Sequence, residues 1–154
     1  MRVLTLDIET SPNLAYVWKF WQENVSPKQV VNNTTILSFA AKWLDEEEVF
    51  YEEARTEKEE YKLLKKVVSL LDEADIVVVQ NGRRFDLPKI RGRALVWGIN
   101  PPSAVKIIDT YEVSKKQFGF ASNSLEFLCK ILDCKVKKGD HKKFPGFLLW
   151  ALVS

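Results

Sequence analysis

The sequence predicts an α/β protein in which a mixed sheet of five strands is flanked by helices. The chain has 154 residues, which is enough for one domain with its own apolar core. Three strand-like segments come first, and a polar turn between the second and third favours antiparallel pairing. A long amphipathic segment then precedes a short apolar strand, and a helix between two strands implies a parallel crossover. The expected order is three antiparallel strands followed by two parallel strands.

The first predicted strand covers residues 2–12, with the sequence R-V-L-T-L-D-I-E-T-S-P. Its apolar, β-branched start favours a strand, and Ser11-Pro12 ends it. Side chains of a strand alternate between its two faces, so Asp7 and Glu9 lie on the same face. Neighbouring carboxylates repel each other unless water or a cation lies between them. The pair predicts either a solvated polar edge or a site for a hard divalent cation such as Mg²⁺ or Mn²⁺.

An irregular and unusually aromatic segment follows at residues 13–31. It contains Tyr16, Trp18, Phe20 and Trp21. Aromatic side chains most often fill the side of a core, and this is the first expectation for the segment. The alternative is that they stack on nucleic-acid bases, since such stacking contributes about 1–3 kcal/mol per base.

Residues 34–44 and 48–54 predict two strands joined by a polar turn, and therefore a hairpin. Residues 56–72 predict a helix. Thr56 and Glu59 have the spacing of a capping box, and the acidic first turn favours the positive end of the helix dipole. The apolar stripe of this helix is predicted to contain Tyr61, Leu64, Val67, Val68 and Leu71.

The short apolar run at residues 76–79 predicts a central strand, which opens into the turn-forming pair Asn81-Gly82. The next helix is expected to begin near Phe85 or Asp86. Asp86 thus follows the carboxyl end of a central strand, where ligands of open α/β sheets gather, and a helix-capping role is the alternative. The buried side of this helix is predicted to contain Leu87, Ile90, Leu95 and Trp97.

The rest of the chain predicts a strand at residues 105–110 and a helix at residues 124–132, with Asn123 as its N-cap. The inward side of that helix is predicted to contain Leu125, Leu128, Ile131 and Leu132. From Lys135 the chain is basic and loop-like. Residues 147–154 predict the opening of a helix that stops early, so the C-terminal helix is expected to be incomplete.

Charge is distributed unevenly although the net charge is only +2. Residues 1–76 carry 9 Lys and Arg against 15 Asp and Glu, whereas residues 77–154 carry 14 against 6. This indicates either a metal-binding edge beside a phosphate-binding one, or a mere drift of surface charge. The early charges exclude a signal peptide, and no apolar run has the roughly 20 residues of a membrane span, so a cytoplasmic protein is expected. The two cysteines indicate reduced thiols, and a single histidine excludes a histidine-rich metal site.

Two stretches, L-T-L-D-I-E-T-S-P and V-V-V-Q-N-G-R-R-F-D-L-P, resemble the first two motifs of the DEDD (DnaQ-like) 3′–5′ exonucleases. The segments A-A-K-W, I-I-D-T, S-N-S-L and F-P-G-F-L-L-W resemble the phage-type exonuclease branch of that superfamily. The resemblance covers nearly the whole chain. It implies a single ribonuclease H-like domain over residues 1–154 that hydrolyses phosphodiester bonds from the 3′ end of DNA or RNA. The cofactors that it implies are two Mg²⁺ or Mn²⁺ ions.

The resemblance also assigns roles to individual residues. Asp7 would bridge the two metals, Glu9 would complete the tighter site, and Asp86 would hold the second metal directly or through water. Thr10 would meet the terminal nucleotide through its backbone. Asn81 and Phe85 would shape the pocket, and the candidate phosphate contacts are Arg83, Arg84 and residues 135–143.

Three departures from the family pattern bear on activity. The family needs a fourth carboxylate in a His-x-x-x-Asp or Tyr-x-x-x-Asp motif, and no Asp in the C-terminal half has His or Tyr four positions before it. The chain is therefore expected to stop short of this motif and to be weak or inactive alone. Gln80 stands where many relatives have His, and it cannot take up a proton. His141 in its lysine-rich loop is expected to be solvated rather than to act as a base.

These observations leave two main hypotheses. The first is a C-terminally truncated 3′–5′ exonuclease domain that acts on single-stranded 3′ ends, and three mutually repelling acids favour it. The second is a non-catalytic relative that binds nucleic acid or another protein, and the missing motif favours it. In a third hypothesis, a second copy of the chain or a protein partner covers the truncated C-terminus and completes the site in trans.

Overall fold

A computed structural model describes residues 1–21 and 24–134 of the chain. Five strands form one sheet: β1 (Val3–Thr10), β4 (Ile36–Trp43), β5 (Val49–Glu53), β6 (Ile76–Val79) and β7 (Lys106–Asp109). A separate two-stranded sheet consists of β2 (Leu14–Ala15) and β3 (Val30–Asn32). The helices in this part of the chain are α1 (Glu57–Glu73), α2 (Asp86–Val96), α3 (Thr110–Gln117) and α4 (Leu125–Ile131).

The strand order in the main sheet is β5-β4-β1-β6-β7. The first three strands of that order pair antiparallel, whereas β6 is parallel to β1 and β7 is parallel to β6. The chain crosses from β5 to β6 through α1, as the long amphipathic segment predicts. The mixed five-stranded α/β arrangement expected from the sequence is confirmed. No helix in the described ranges is long and apolar enough to span a membrane.

The two faces of β1 have different surroundings. Leu4, Leu6 and Ile8 are buried in one apolar cluster with side chains of α1 and α2. Asp7 and Glu9 lie on the opposite face and are exposed. This difference follows from the two-residue period of a strand, and it places the acids away from the main apolar cluster.

The N-terminus of α1 has the capping box that the sequence predicts. Thr56 Oγ1 accepts the N–H of Glu59, and the Glu59 carboxylate accepts the N–H of Thr56. The predicted apolar stripe is confirmed for four of its residues, which are buried: Leu64, Val67, Val68 and Leu71. It is wrong at Tyr61, which is 39% exposed, because the neighbouring Glu60 and Leu63 face inward instead.

A buried ion pair joins α1 to α2 and β4. The Glu60 carboxylate accepts hydrogen bonds from Nε and Nη2 of Arg93 at 2.9 and 2.5 Å. It also accepts the indole N–H of Trp97 and the backbone N–H of Ile36, both at 2.8 Å. Burial raises the pKa of Glu60, but these four hydrogen bonds outweigh it and hold the pKa below its ordinary value. The sequence alone does not reveal this pair.

The second helix begins at Asp86, within the predicted boundary, and it buries Leu87 and Ile90. The prediction for Leu95 is wrong, since its side chain is 65% exposed and Ala94 is buried in its place. Ala94 lies four residues after Ile90, so it falls on the same helical face. Trp97 packs partly buried against the core, as predicted.

The segment after β7 departs further from expectation. The sequence does not predict α3, because T-Y-E-V-S-K-K-Q contains no apolar stripe. The N-cap of α4 is Ser124, whose Oγ accepts the N–H of Phe127, whereas Asn123 accepts the hydroxyl of Ser114. Only one of its four predicted inward residues, Leu128, is buried. Those found exposed are Leu125, Ile131 and Leu132.

The aromatic residues of segment 13–31 do not enter the core, so the first expectation for them is wrong. The exposed fractions of Tyr16, Trp18, Phe20 and Trp21 are 77%, 92%, 94% and 84%. The predictions for residues 135–143, His141 and residues 147–154 lie outside the described ranges.

Candidate functional site

The candidate site lies at the carboxyl end of β1. Asp7 and Glu9 point to the same exposed face, as their spacing predicts. Pairing with β4 shifts register between Glu9 and Thr10, which indicates a β-bulge. Beyond the bulge, the N–H of Ser11 donates to the carbonyl of Thr35 at 3.0 Å, and this bond fixes the strand end. Bulges commonly re-aim side chains beside functional sites.

Asp86 meets β1 at the position where β6 no longer pairs with it. Backbone pairing of β6 with β1 extends only to Thr5. Further along, the N–H of Ile8 donates to Oδ1 of Asp86 at 3.0 Å, and Ile8 lies between Asp7 and Glu9. The three acids therefore surround one short stretch of β1. The capping alternative for Asp86 is not supported, since the N-cap position of α2 is taken by the preceding residue and has no side-chain cap.

The environment of Asp86 is unfavourable to its charge. The residue is 3% exposed, and this burial raises its pKa to about 6. The hydrogen bond from Ile8 lowers the pKa, whereas the negative charges of Asp7 and Asp109 raise it further. The effect of Asp7 means that these two carboxylates are close enough to repel each other. A proton or a cation relieves that repulsion, and such perturbed acids are typical of functional sites.

The loop before α2 is held by Asp109, at the end of β7. Asp109 is buried, its Oδ1 accepts the N–H of Asn81 at 2.8 Å, and its Oδ2 accepts the N–H of Arg83 at 3.0 Å. Because these bonds lie on both sides of Gly82, they fix the turn that positions Asp86. Sequence reasoning missed this role. The available signal was the I-I-D-T segment, which places an acid at the end of a short strand.

Gly82 lies where no larger residue fits. A Cβ atom at this position would lie 2.5 Å from Cβ of Val79 and 2.9 Å from Oδ2 of Asp86. The chain thus needs glycine here for the close approach of the loop to the buried carboxylate.

Replacing Gly82 with alanine is expected to lower the free energy of unfolding by about 1–3 kcal/mol, because overpacking forces Val79 or Asp86 to move. Gly92→Ala in α2 is the matched control, since nothing lies within 4 Å of a Cβ there. Alanine at this helical position is expected to stabilise the protein by up to about 1 kcal/mol. Urea unfolding of both variants measures the difference. Equal effects of the two changes would contradict the close packing at Gly82.

The two arginines of the loop differ in their contacts. Nη2 of Arg83 donates to the carbonyl of Ile107 at 2.9 Å, and its Nε lies 3.5 Å from the carboxylate of Glu112. Arg83 is therefore tied to β7 and α3. Arg84 is exposed, and within residues 1–21 and 24–134 its guanidinium has no ion pair or hydrogen bond. Phe85, the next residue, is 41% exposed.

Gln80 connects the same loop to the segments that follow β7. Its Nε2 donates to the carbonyl of Asn123 at 3.0 Å, and its Oε1 accepts the hydroxyl of Thr110. Asn81 follows with a φ of +61°, a left-handed conformation that asparagine adopts more readily than most residues. These contacts give Gln80 a structural function in holding the loop against α3 and the segment before α4.

With this geometry in place, a comparison with protein-family models gives a match to the RNase H superfamily over residues 4–151. The chain belongs to the ribonuclease H superfamily. The predicted fold class is therefore confirmed as ribonuclease H-like, with a mixed five-stranded sheet and helices α1 to α4 in the described ranges. Membership of the ribonuclease H superfamily supports a nuclease-type function.

Among solved structures, this ribonuclease H superfamily chain resembles the family B DNA polymerase from the hyperthermophilic archaeon Pyrobaculum calidifontis. The TM-score is 0.64 and the sequence identity is 18%. The match covers 88% of this chain and 18% of the polymerase, so the chain spans less than a fifth of the polymerase's length. At this identity the likeness concerns the fold alone. A search of curated proteins finds no match.

Nucleases of the ribonuclease H superfamily generally use divalent metal ions. In the described ranges, no three His, Cys, Asp or Glu side chains are arranged to hold a metal ion. Mg²⁺ is, however, commonly held by one or two carboxylates together with waters and substrate phosphates. The mutually repelling Asp7 and Asp86 fit this requirement, and Glu9 lies on the same face of β1 as Asp7.

Proposed function

We propose that this chain is a metal-dependent 3′–5′ exonuclease of the DEDD (DnaQ-like) type, which removes nucleotides from single-stranded 3′ ends of DNA or RNA. The hydrogen bond between Asp86 and the N–H of Ile8 carries the proposal. It brings an acid from the loop after β6 to the stretch of β1 that presents Asp7 and Glu9. A surface that only binds nucleic acid has no comparable need for the carboxylates of Asp7 and Asp86 to lie close enough to repel each other.

Each acid has a distinct part in the proposed reaction. Two bound Mg²⁺ or Mn²⁺ ions would supply an activated water and stabilise the charge of an in-line displacement. Asp7 and Asp86 are the proposed principal ligands, and Glu9 completes the set. Because the pKa of Asp86 is about 6, its carboxyl group is mostly ionised at neutral pH and can bind a cation there. The bond from Ile8 keeps its carboxylate in one orientation.

The loop supplies the proposed contacts with the substrate. Arg84 is the proposed phosphate contact, because its guanidinium is exposed while Arg83 is tied to Glu112. Phe85 is proposed to pack against the terminal nucleotide, and Thr10 to meet it through the backbone. Asn81 shapes the turn rather than reading a base. Contacts of this kind recognise the sugar-phosphate backbone and any base, so cleavage is expected to be independent of sequence.

The test is a titration of Mg²⁺ and Mn²⁺ with a single-stranded oligonucleotide labelled at its 5′ end. The wild-type chain is expected to give a weak metal-dependent ladder that shortens from the 3′ end, because the sequence lacks the water-orienting motif of the exonucleases that it resembles. Asp7→Ala is expected to give no ladder. Thr5→Ala is the matched control, because Thr5 lies on the same exposed face of β1 two residues earlier. A wild-type chain that never shortens the oligonucleotide, or an Asp7→Ala variant that shortens it equally well, would refute the proposal.

One observation favours a second function. No Asp of the sequence has a His or Tyr four positions before it. The sequence therefore does not contain the motif that orients the attacking water in the exonucleases that it resembles. In this alternative the chain binds single-stranded nucleic acid or a protein without cleavage, or cleaves only when a partner completes the site. Oligonucleotide binding without shortening in both metals supports it. Shortening that appears only when a second protein is added supports completion in trans.

A further inference from the structure

The aromatic arm, residues 16–21, is a run of exposed and mostly apolar residues that the proposed site does not use. Its members Trp18, Phe20 and Trp21 are all more than 80% exposed. Scattered exposed apolar residues are ordinary in proteins, but a contiguous group of large ones marks an interaction site. The question is which partner this group fits.

The root of the arm has a fixed place in the fold. The N–H of Tyr16 donates to the carbonyl of Gln29 at 2.9 Å, and Nε2 of Gln29 donates back to the carbonyl of Tyr16 at 2.9 Å. The Gln29 side chain also accepts the N–H of Ser26 in a capping box. These bonds, with the β2–β3 pairing, hold the arm's first residue against the chain that leads into β4.

The arm begins beside the candidate site. The N–H of Ser11 binds the carbonyl of Thr35, and Oδ1 of Asn13 accepts the N–H of Thr34, so the link between β1 and the arm is held against the start of β4. Tyr16 lies only six positions after Thr10 in the chain, so the two residues are at most about 20 Å apart. A strand of nucleic acid that enters the site at Asp7 and Asp86 therefore lies within reach of the arm.

The composition of the arm favours nucleic acid over a basic or purely apolar partner. Its sequence Y-V-W-K-F-W has one lysine and no acid, in a half of the chain where acids outnumber bases by 15 to 9. Aromatic faces stack on any base, and an interleaved lysine attracts phosphate. This pairing of aromatic and basic side chains is the usual composition of single-strand binding surfaces.

We infer that the aromatic arm binds single-stranded nucleic acid by stacking on bases that lie upstream of the 3′-terminal nucleotide. The inference rests on the proposed function for the direction of the strand. It adds a binding surface outside the three acids and their loop, and it predicts that longer single strands bind more tightly than dinucleotides.

The test is fluorescence anisotropy of the full chain with labelled dT15, U15 and dT2 in EDTA, where cleavage cannot proceed. Trp18→Ala and Phe20→Ala are each expected to weaken binding of the 15-mers by about 5- to 150-fold, because one stacked base is lost. Trp18→Phe is expected to bind within a few-fold of the wild type. Leu95→Ala is the matched control, since Leu95 is also an exposed apolar residue, 65% exposed, on α2.

Several outcomes would refute the inference that the aromatic arm binds single-stranded nucleic acid. The first is a double variant, Trp18→Ala with Phe20→Ala, that binds the 15-mers as tightly as the wild type does. The second is a Leu95→Ala variant that loses as much affinity as the arm variants. The third is a wild-type chain that does not bind the 15-mers. Arm variants that change the sedimentation of the free protein but not its affinity for dT15 would show a contact between copies instead. If the wild type binds the 15-mers through the arm in EDTA but never shortens dT15 in Mn²⁺, the inference about the arm is supported and the exonuclease proposal is refuted. If the wild type shortens dT15 and the arm variants have the same KM as the wild type, the exonuclease proposal is supported and the inference about the arm is refuted.

Discussion

Asp86→Asn is expected to reduce metal-dependent shortening of an oligonucleotide by at least about a hundredfold, because acids that act as one unit cannot replace each other. The amide oxygen can still accept the N–H of Ile8, so the fold is expected to persist. Mn²⁺ is expected to raise the Tm of the wild type but not that of the variant, since binding to the folded state alone shifts unfolding. A variant with wild-type shortening and a wild-type response to Mn²⁺ would refute the function of Asp86.

The same substitution is expected to make the metal-free protein more stable at neutral pH. The pKa of Asp86 in the folded state, about 6, lies above its ordinary value of 3.8, so the folded state holds the proton more tightly. This group therefore lowers stability progressively as the pH rises from about 4 to 6, by about 2–3 kcal/mol in all. Asp86→Asn removes that loss. Urea unfolding at pH 4 and pH 7.5 measures the free energy of unfolding of the variant and the wild type. The control is Asp45→Asn at an exposed position, for which no gain in stability is expected.

Arg93→Met is expected to lower the free energy of unfolding by about 3–5 kcal/mol at neutral pH, because Glu60 would remain buried without its ion-pair partner. The low pKa of Glu60 in the wild type means that the pair stabilises the fold above the ordinary pKa of 4.5 and loses this effect as the pH falls through the folded value. The deficit of Arg93→Met is therefore expected to shrink on acidification, when Glu60 is protonated.

Arg91→Met provides a matched control two residues earlier in α2. Arg91 is partly exposed, and its side chain has no ion pair within the described ranges, so the loss is expected to stay within about 0.5 kcal/mol. Urea unfolding of both variants between pH 4 and pH 8 gives the comparison. Similar losses in the two variants, or a deficit of Arg93→Met that does not depend on pH, would show that the buried pair does not govern this part of the core.

The main sheet was predictable because its strands have strong local patterns. The strand Ile76–Val79 is wholly apolar and β-branched and is bounded by Asp75 and Gln80, so its predicted limits agree with the structure. The helix Glu57–Glu73 has a capping box that marks its start. In contrast, the polar helix Thr110–Gln117 forms without an apolar stripe, since its N-cap Asp109 and its packing beside β7 are set by the rest of the fold.

Long-range contacts explain most of what the sequence did not reveal about the site. Asp109 binds the N–H of Asn81, which lies 28 residues earlier, and Glu60 pairs with Arg93, which lies 33 residues later. No local pattern specifies such partners. The position of Asp86 at a strand end was predictable from the Asn81-Gly82 turn, but its contact with Ile8 depends on the length over which β6 pairs with β1.

The alternation along β1 has a consequence for how this protein can vary. Leu4, Leu6 and Ile8 belong to the apolar core, whereas Asp7 and Glu9 lie exposed on the other face of the strand. Substitutions at Asp7 and Glu9 are thus expected to leave the architecture intact. A variant that lacks the proposed activity is therefore expected to keep the wild-type fold, which makes it suitable for crystallisation with an uncut single strand.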